Sequence, residues 1–239
     1  MKAMIFAAGL GTRLKPLTDK IPKALVKVAG KPMLQRTLEH LKKYGFTDII
    51  INVHHFADQV EEFLSTNKFD LNIQISDERK EVLDTGGGLK KATWFFNDSK
   101  PFLVINADII SDMDLNQLYY FHWENSNLVT IVIRNRPSGR CFLFNEDLRL
   151  CGWRNNKTGE QIIKIQEGKL VGYPFSGIHI VNPAIFDNID ETGKFSIVDV
   201  YLRLAATRKI YGYLDNSPVW FDIGDSHKLR NAENALKNL

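Results

Sequence analysis

Ala7-Ala8-Gly9-Leu10-Gly11-Thr12-Arg13-Leu14-Lys15-Pro16-Leu17-Thr18, continuing to Pro22-Lys23-Ala24-Leu25, is the stretch on which the reading of this chain turns. It follows residues 3–7, a short apolar run that reads as a buried strand. Glycines placed directly after a first strand let backbone N–H groups approach phosphate oxygens closely. Arg13 and Lys23 add two cations, the first a planar fork and the second a point charge, both suited to phosphate. A tight solvated turn with two surface charges is the plainer alternative. Three features weigh against it: the segment follows the first strand, it carries one charge after another, and it is too long and proline-broken to be a mere connector. Two familiar templates fail. A dinucleotide fold needs a third glycine where Leu14 stands and a helix where Pro16 blocks one. A kinase-type P-loop needs a Gly-Lys-Ser/Thr end that the segment lacks.

Strand and helix alternate outward from this segment. A helix is expected over 32–44, with Pro32 at its first position, Leu34, Leu38 and Leu41 on one face, and Gly45 as its stop. Strand follows at 49–53, a short helix at 57–65, strand at 72–76, helix at 88–96 and a buried strand at 101–105. Asp114 then opens another helix, with Gln117 in the capping-box position. Such alternation argues for a doubly wound, Rossmann-like, mostly parallel α/β sheet. Beyond it the texture changes to short strands at 128–133, 140–144, 148–153, 161–165 and 173–181. Helices return at 197–207, capped by Ser196, and at 226–238, capped by Asp225, with strands 210–214 and 218–221 between. The expected organisation is a nucleotide-binding α/β core over 1–135 and a smaller α+β part over 136–239, packed on the same sheet as one unit.

Composition narrows the function classes. The chain has 239 residues, 44% hydrophobic and 25% charged, which suits a folded domain with a sizeable core. Its 31 Lys and Arg against 28 Asp and Glu leave +3, too little to imply a nucleic-acid surface. No apolar run reaches the length of a membrane span, and the first strand runs into Arg13 and Lys15 without a leader's cleavage site. Cys141 and Cys151 make neither a disulfide framework nor a metal pair, which fits a reducing, cytoplasmic setting.

Three further segments carry candidate chemistry. Leu83-Asp84-Thr85-Gly86-Gly87-Gly88-Leu89 is expected to form a loop nearly free of side chains, against which a flat base or a sugar can lie; a flexible turn is the alternative. Asn106-Ala107-Asp108 follows the strand 101–105. A carboxylate at the carboxyl end of such a strand points into the ligand crevice of an open sheet, and hard oxygen ligands there suit Mg²⁺. Asp222, in Trp220-Phe221-Asp222-Ile223-Gly224-Asp225, offers a second carboxylate or a simple strand-end turn. His54 and His55 lack a third ligand at metal spacing, and no nucleophile elbow occurs.

Together these segments resemble the sugar-1-phosphate nucleotidyltransferase (NDP-sugar pyrophosphorylase) family. Its opening signature is matched at 7–18 and 22–25, with Ala24 where proline is common. Thr85-Gly86-Gly87-Gly88, Asn106-Ala107-Asp108, Phe175-Ser176-Gly177-Ile178 and Trp220-Phe221-Asp222-Ile223-Gly224 extend the resemblance over nearly the whole chain. Within the family it looks most like the short N-acetylmuramate-1-phosphate uridylyltransferases of cell-wall recycling, with mannose- and heptose-1-phosphate guanylyltransferases close behind. The resemblance implies that a nucleoside triphosphate and a sugar 1-phosphate give an NDP-sugar and pyrophosphate, with Mg²⁺ held by Asp108 and Asp222. It implies Arg13 and Lys23 as catalytic cations. Ala7, Ala8, Gly9, Gly11, Thr12, Thr85 and Gly86 would face the nucleotide, and Gly87, Asn106, Glu167, Ser176 and Gly177 the sugar. The family's Glu-Lys-Pro segment is replaced by Gln166-Glu167-Gly168-Lys169. A monomer or small homo-oligomer is expected, without nucleic acid or membrane. Two other classes compete. A non-catalytic regulatory subunit would have shed the phosphate cations or the carboxylates, and a glycosyltransferase would cluster its carboxylates as Asp-x-Asp.

Overall fold

In chain order the strands of the computed structural model, which describes residues 1–237, are β1 (Lys2–Phe6), β2 (Lys27–Val28), β3 (Lys31–Pro32), β4 (Asp48–Val53), β5 (Asn72–Asp77), β6 (Phe102–Asn106), β7 (Ile109–Ser111), β8 (Val129–Ile133), β9 (Arg140–Phe144), β10 (Leu150–Asn155), β11 (Gln161–Ile163), β12 (Val171–Tyr173), β13 (Phe175–Val181), β14 (Ile210–Leu214) and β15 (Trp220–Asp222). The helices are α1 (Met33–Lys43), α2 (Ala57–Thr66), α3 (Asp84–Lys91), α4 (Leu115–Glu124), α5 (Ile197–Leu204) and α6 (Ser226–Leu236). A seven-stranded sheet, mostly parallel, runs in the order β14-β8-β13-β6-β1-β4-β5. The fold is the expected mixed α/β type.

The chain divides into two compact units, each assembled from several stretches. The first holds 1–83, 105–114 and the described residues from 217 onward; the second holds 84–104 and 115–216. Residue 135, the expected boundary, lies inside the second. Strand β6 contributes to both, residues 102–104 to the second unit and 105–106 to the first.

In the first unit β1, β4 and β5 pair in parallel, with Ile5 opposite Ile51 and Asn52 opposite Ser76. Ile49, Ile50 and Ile51 are all fully buried, as strands covered on both faces require. Helix α1 buries Leu34, Leu38 and Leu41, the face its spacing predicts, and Gly45 follows at φ 78°. A second small core gathers Leu14, Val26, Val28, Met33, Ile110, Ile223, Leu229 and Ala232. It anchors the opening segment and α6 to the short β7–β15 pair. Asp225 caps α6, its Oδ1 accepting from the His227 and Lys228 backbone N–H groups at 3.0 Å. These bonds and the Lys228 charge hold its carboxyl below the usual carboxylate range, outweighing burial. The expected end of that helix at 238 lies outside the described residues.

The second unit carries β8 between antiparallel β13 and parallel β14, and a four-stranded sheet in the order β11-β10-β9-β12. The strand expected over 173–181 is instead two, β12 and β13, because Pro174 has no N–H to give a ladder. Ser196 caps α5 through the Val198 N–H, as expected. Among the described residues no helix is long and apolar enough to cross a membrane.

Candidate active site

The opening segment of the first unit takes its shape from how its ends are pinned. Leu14 and Val26 are buried in the small core, so the chain between must turn back on itself, which it does in three short 3-10 turns at Thr12–Leu14, Leu17–Asp19 and Lys23–Leu25. Gly11 has φ 65°, and its carbonyl accepts from the Leu14 N–H at 2.9 Å and the Thr18 hydroxyl at 2.8 Å. A Cβ there would lie 2.9 Å from Thr18 Cγ2 and 3.1 Å from Lys23 Cβ. Both the backbone conformation and the close approach of Lys23 therefore demand glycine. The residues just before it, Ala7 and Ala8, are buried, while Leu10 is exposed.

Lys23 donates to Oδ2 of Asp108, and both side chains are mostly shielded from solvent. Asp108 stands one residue beyond Ala107, whose N–H donates to the Phe6 carbonyl at 3.0 Å, so the ends of β1 and β6 are tied together. The Ile223 N–H donates to the Asp108 carbonyl at 2.9 Å, and β15 lies antiparallel to β7 with Asp222 opposite Ile109. Asp108 and Asp222 are thereby brought to neighbouring strand ends. Lys228, on α6, donates to Asp222 Oδ2 at 2.6 Å. Over Gly224, a Cβ would sit 3.1 Å from Asp222 Oδ1 and 3.4 Å from Arg13 Nη2, so the Arg13 guanidinium and the Asp222 carboxylate face the same bare backbone. Two carboxylates and three cations thus share one end of the first unit, with Asn106 closing β6 beside them.

In the second unit the triple glycine is helical. Gly86, Gly87 and Gly88 are buried within α3, which corrects the expected open loop; the helix expected over 88–96 ends at Lys91, with a 3-10 turn at Thr93–Phe95. The reason is packing. A Cβ on Gly86 would lie 2.3 Å from Phe195 Cδ2, and the Gly86 and Gly87 N–H groups donate to the Phe195 carbonyl at 2.9 and 3.3 Å. Thr85 Oγ1 accepts from the Ile197 N–H at 3.0 Å, joining the starts of α3 and α5. Ser176 and Gly177 lie where β13 slips register against β8, Ser176 buried and Gly177 at φ 82°. Glu167 is exposed, accepting from Asn145 Nδ2 at 3.3 Å and lying 3.8 Å from Arg149.

Sequence reasoning missed three residues of the first unit. Lys228 carried no motif. Asn52 and Glu78 form a buried chain beneath the opening segment: the Ala7 N–H donates to Asn52 Oδ1 at 2.8 Å, and Asn52 Nδ2 donates to Glu78 Oε1 at 2.8 Å. A polar residue inside the run Ile49-Ile50-Ile51-Asn52-Val53 was the available signal.

A profile of the nucleotidyl transferase family matches residues 2–238. The chain is 31% identical over 237 residues to the N-acetylmuramate alpha-1-phosphate uridylyltransferase of Neisseria meningitidis serogroup B, covering 98% of this chain and 97% of that one. It is 32% identical to the mannose-1-phosphate guanyltransferase of Gibberella zeae, of which it spans 61%. The crystal structure of HddC from Yersinia pseudotuberculosis superposes with TM-score 0.80 at 25% identity, covering 98% of this chain and 99% of the other. The glycine that lets Lys23 reach Asp108 and the strand pair that aligns Asp222 are accordingly parts of an enzyme fold, and the chain belongs to the nucleotidyl transferase family, as a sugar-1-phosphate nucleotidyltransferase.

Proposed function

We propose that this enzyme joins UTP to N-acetylmuramate 1-phosphate, releasing pyrophosphate and forming the UDP-sugar. The observation that carries the catalytic part is the gathering of Arg13, Lys23, Asp108, Asp222 and Lys228 at one end of the first unit. The sugar phosphate oxygen attacks the α-phosphorus, one P–O bond forms, and the bond to the β-phosphate oxygen breaks. A phosphate monoester with a second pKa of about 6 is already ionised at neutral pH, so the attack requires no strong general base. The residues supply position and charge. Lys23 steadies the α-phosphate region and Arg13 the leaving pyrophosphate. Asp108 and Asp222 fit Mg²⁺. They are hard oxygen donors on neighbouring strand ends, and among the described residues no cluster of three ligating side chains competes for the ion. Held by these carboxylates, Mg²⁺ would neutralise phosphate charge. Lys23 and Lys228 occupy those carboxylates otherwise.

Backbone groups of Ala7, Ala8, Gly9, Gly11 and Thr12, with Thr85 and Gly86, are assigned to the nucleotide. Gly87, Asn106, Glu167, Ser176 and Gly177 are assigned to the sugar. The uridine reading is supported by a relative matched over nearly the whole of both chains. A guanylyltransferase is the second reading, on the mannose-1-phosphate relative. We assign the enzyme to the cytoplasm and to cell-wall sugar metabolism, as a monomer or small homo-oligomer. Pyrophosphate release decides among these, with UTP, GTP, CTP, ATP and dTTP each offered muramate, glucose, mannose and heptose 1-phosphates. The uridine–muramate pair is expected to lead. A site that pairs one base's polar edge discriminates by up to ~10⁴, so a kcat/KM for GTP with mannose or heptose 1-phosphate about tenfold above it replaces this choice with the guanylyltransferase.

A further inference from the structure

We propose that Glu78 is a positioning residue for nucleotide binding, acting through Asn52 on one side and through Leu83 on the other. Glu78 is 1% exposed and Asn52 3%, both in the first unit. The chain of bonds has a fixed polarity. It begins at the Ala7 N–H, which can only donate, so Asn52 presents Oδ1 to it at 2.8 Å and must present Nδ2 to Glu78, again at 2.8 Å. It ends at the Leu83 N–H, which donates to Glu78 Oε2 at 3.2 Å. Residue 78 therefore receives a donor on each side, and a carboxylate is the side chain of that length that accepts at both. The Glu78 backbone is held as well, its N–H donating to Val53 and its carbonyl lying 2.7 Å from His54 Nδ1.

The two ends of this chain matter because of the segments they lead into. After Ala7 the backbone leaves β1 for Ala8-Gly9-Leu10-Gly11. After Leu83 it enters α3 through Asp84, a non-glycine residue at φ 60° whose Oδ1 accepts from the Thr85 N–H at 2.6 Å. One buried carboxylate thus sets the exit of the first nucleotide segment and the entry of the second. The inference rests on the reading of both segments as nucleotide-facing.

The polarity argument supplies its own test. Glu78→Gln must turn an amide N–H toward either Asn52 Nδ2 or the Leu83 N–H. Asn52→Asp sets two carboxylates face to face. The double variant Asn52→Asp with Glu78→Gln restores these three pairings: Ala7 N–H to Asp, Gln Nε2 to Asp, and Leu83 N–H to Gln Oε1. Calorimetric titration of each protein with UTP and with GTP in Mg²⁺ reads binding directly, and steady-state kinetics and melting accompany it. A buried donor left unmatched weakens UTP binding about tenfold in Glu78→Gln, with KM for the sugar 1-phosphate nearly unchanged, and the double variant returns to within about threefold of wild type. Wild-type UTP affinity in Glu78→Gln overturns the proposal. So does a double variant that fails to fold, or that melts like wild type yet binds UTP as weakly as the single variant. If neither single variant folds, the double variant decides alone. A wild-type protein that binds neither triphosphate instead sinks the nucleotide reading itself.

Discussion

The opening segment of the first unit and the triple glycine in α3 have similar sequences, since each is a glycine-rich stretch after a strand. They use glycine for different reasons. Gly11 stands at φ 65° with Thr18 and Lys23 pressed against it, so its lack of a side chain lets a cation approach a backbone turn. Gly86 lies in an ordinary helix, and its lack of a side chain admits the ring of Phe195. The first is a conformational requirement beside charged groups, and the second is a packing requirement between helices. Glycine in a sequence marks that something comes close; it does not say whether the neighbour is a ligand or the protein itself.

The largest effect expected from this contrast belongs to the charged end of the first unit. Asp108→Asn should melt close to wild type and lose at least ~10² in turnover, about 3 kcal/mol of barrier. Near wild-type turnover at saturating Mg²⁺ would remove Asp108 as a metal ligand and leave Gly11, like Gly86, a glycine that serves the fold alone. Asp222→Asn tests the neighbouring carboxylate in the same assay.

Next comes the packing around α5, which an acid titration probes. His179 is fully enclosed, stacked on Phe175 at 5.3 Å and edge-on to Tyr201 of α5 at 5.6 Å. Burial pushes its imidazole down to about 3. Because the folded pKa lies below the unfolded one near 6.5, the unfolded chain takes up the proton first. The stability His179 contributes is complete above 6.5 and drains away as pH falls toward 3. At pH 5 the loss is about 2 kcal/mol, and His179→Leu should flatten that part of the melting profile. An unchanged slope would mean that the second unit is looser around α5 than its geometry implies.

The direct comparison is Gly86→Ala against Gly11→Ala. The former forces a methyl into Phe195 and should cost about 1–3 kcal/mol, recovered in part by Phe195→Leu in the same chain. The latter should cost about 1–2 kcal/mol for left-handed alanine and lose kcat/KM out of proportion to its melting. A Gly86→Ala/Phe195→Leu protein that melts normally but binds nucleotide poorly would show that α3 serves both purposes. Smallest is Asp225→Ala, which removes the cap of α6, the helix carrying Lys228. It should cost ~1 kcal/mol, with a modest change in turnover.

Much of the fold was legible in one dimension. The alternation of apolar runs with helical faces located β1, α1, β4, α2, β5 and β6 within a residue or two, since Leu34, Leu38 and Leu41 bury the face their spacing dictates. Ser196 and Asp225 cap the helices they were expected to cap, because capping depends on a side chain and the next three residues only. The triple glycine failed for the opposite reason. Its environment is Phe195, more than a hundred positions away, and no local rule contains that contact.

The sequence by itself determined the fold class and the reaction class, because periodicity and a long motif are local properties that survive without coordinates. Only the tertiary structure decided which charges meet. Lys23 finds Asp108 across 85 positions because the small core pins the opening segment against the β7–β15 pair, and that pair brings Asp222, with its near neighbour Lys228, to the same end. Asn52 and Glu78 became visible as a pair only when β4 and β5 lay side by side and closed a bond between positions 26 residues apart. Hydrogen bonds and ion pairs act over a few ångströms, and the partners within that reach are settled by packing the sheet, not by the order of residues along it.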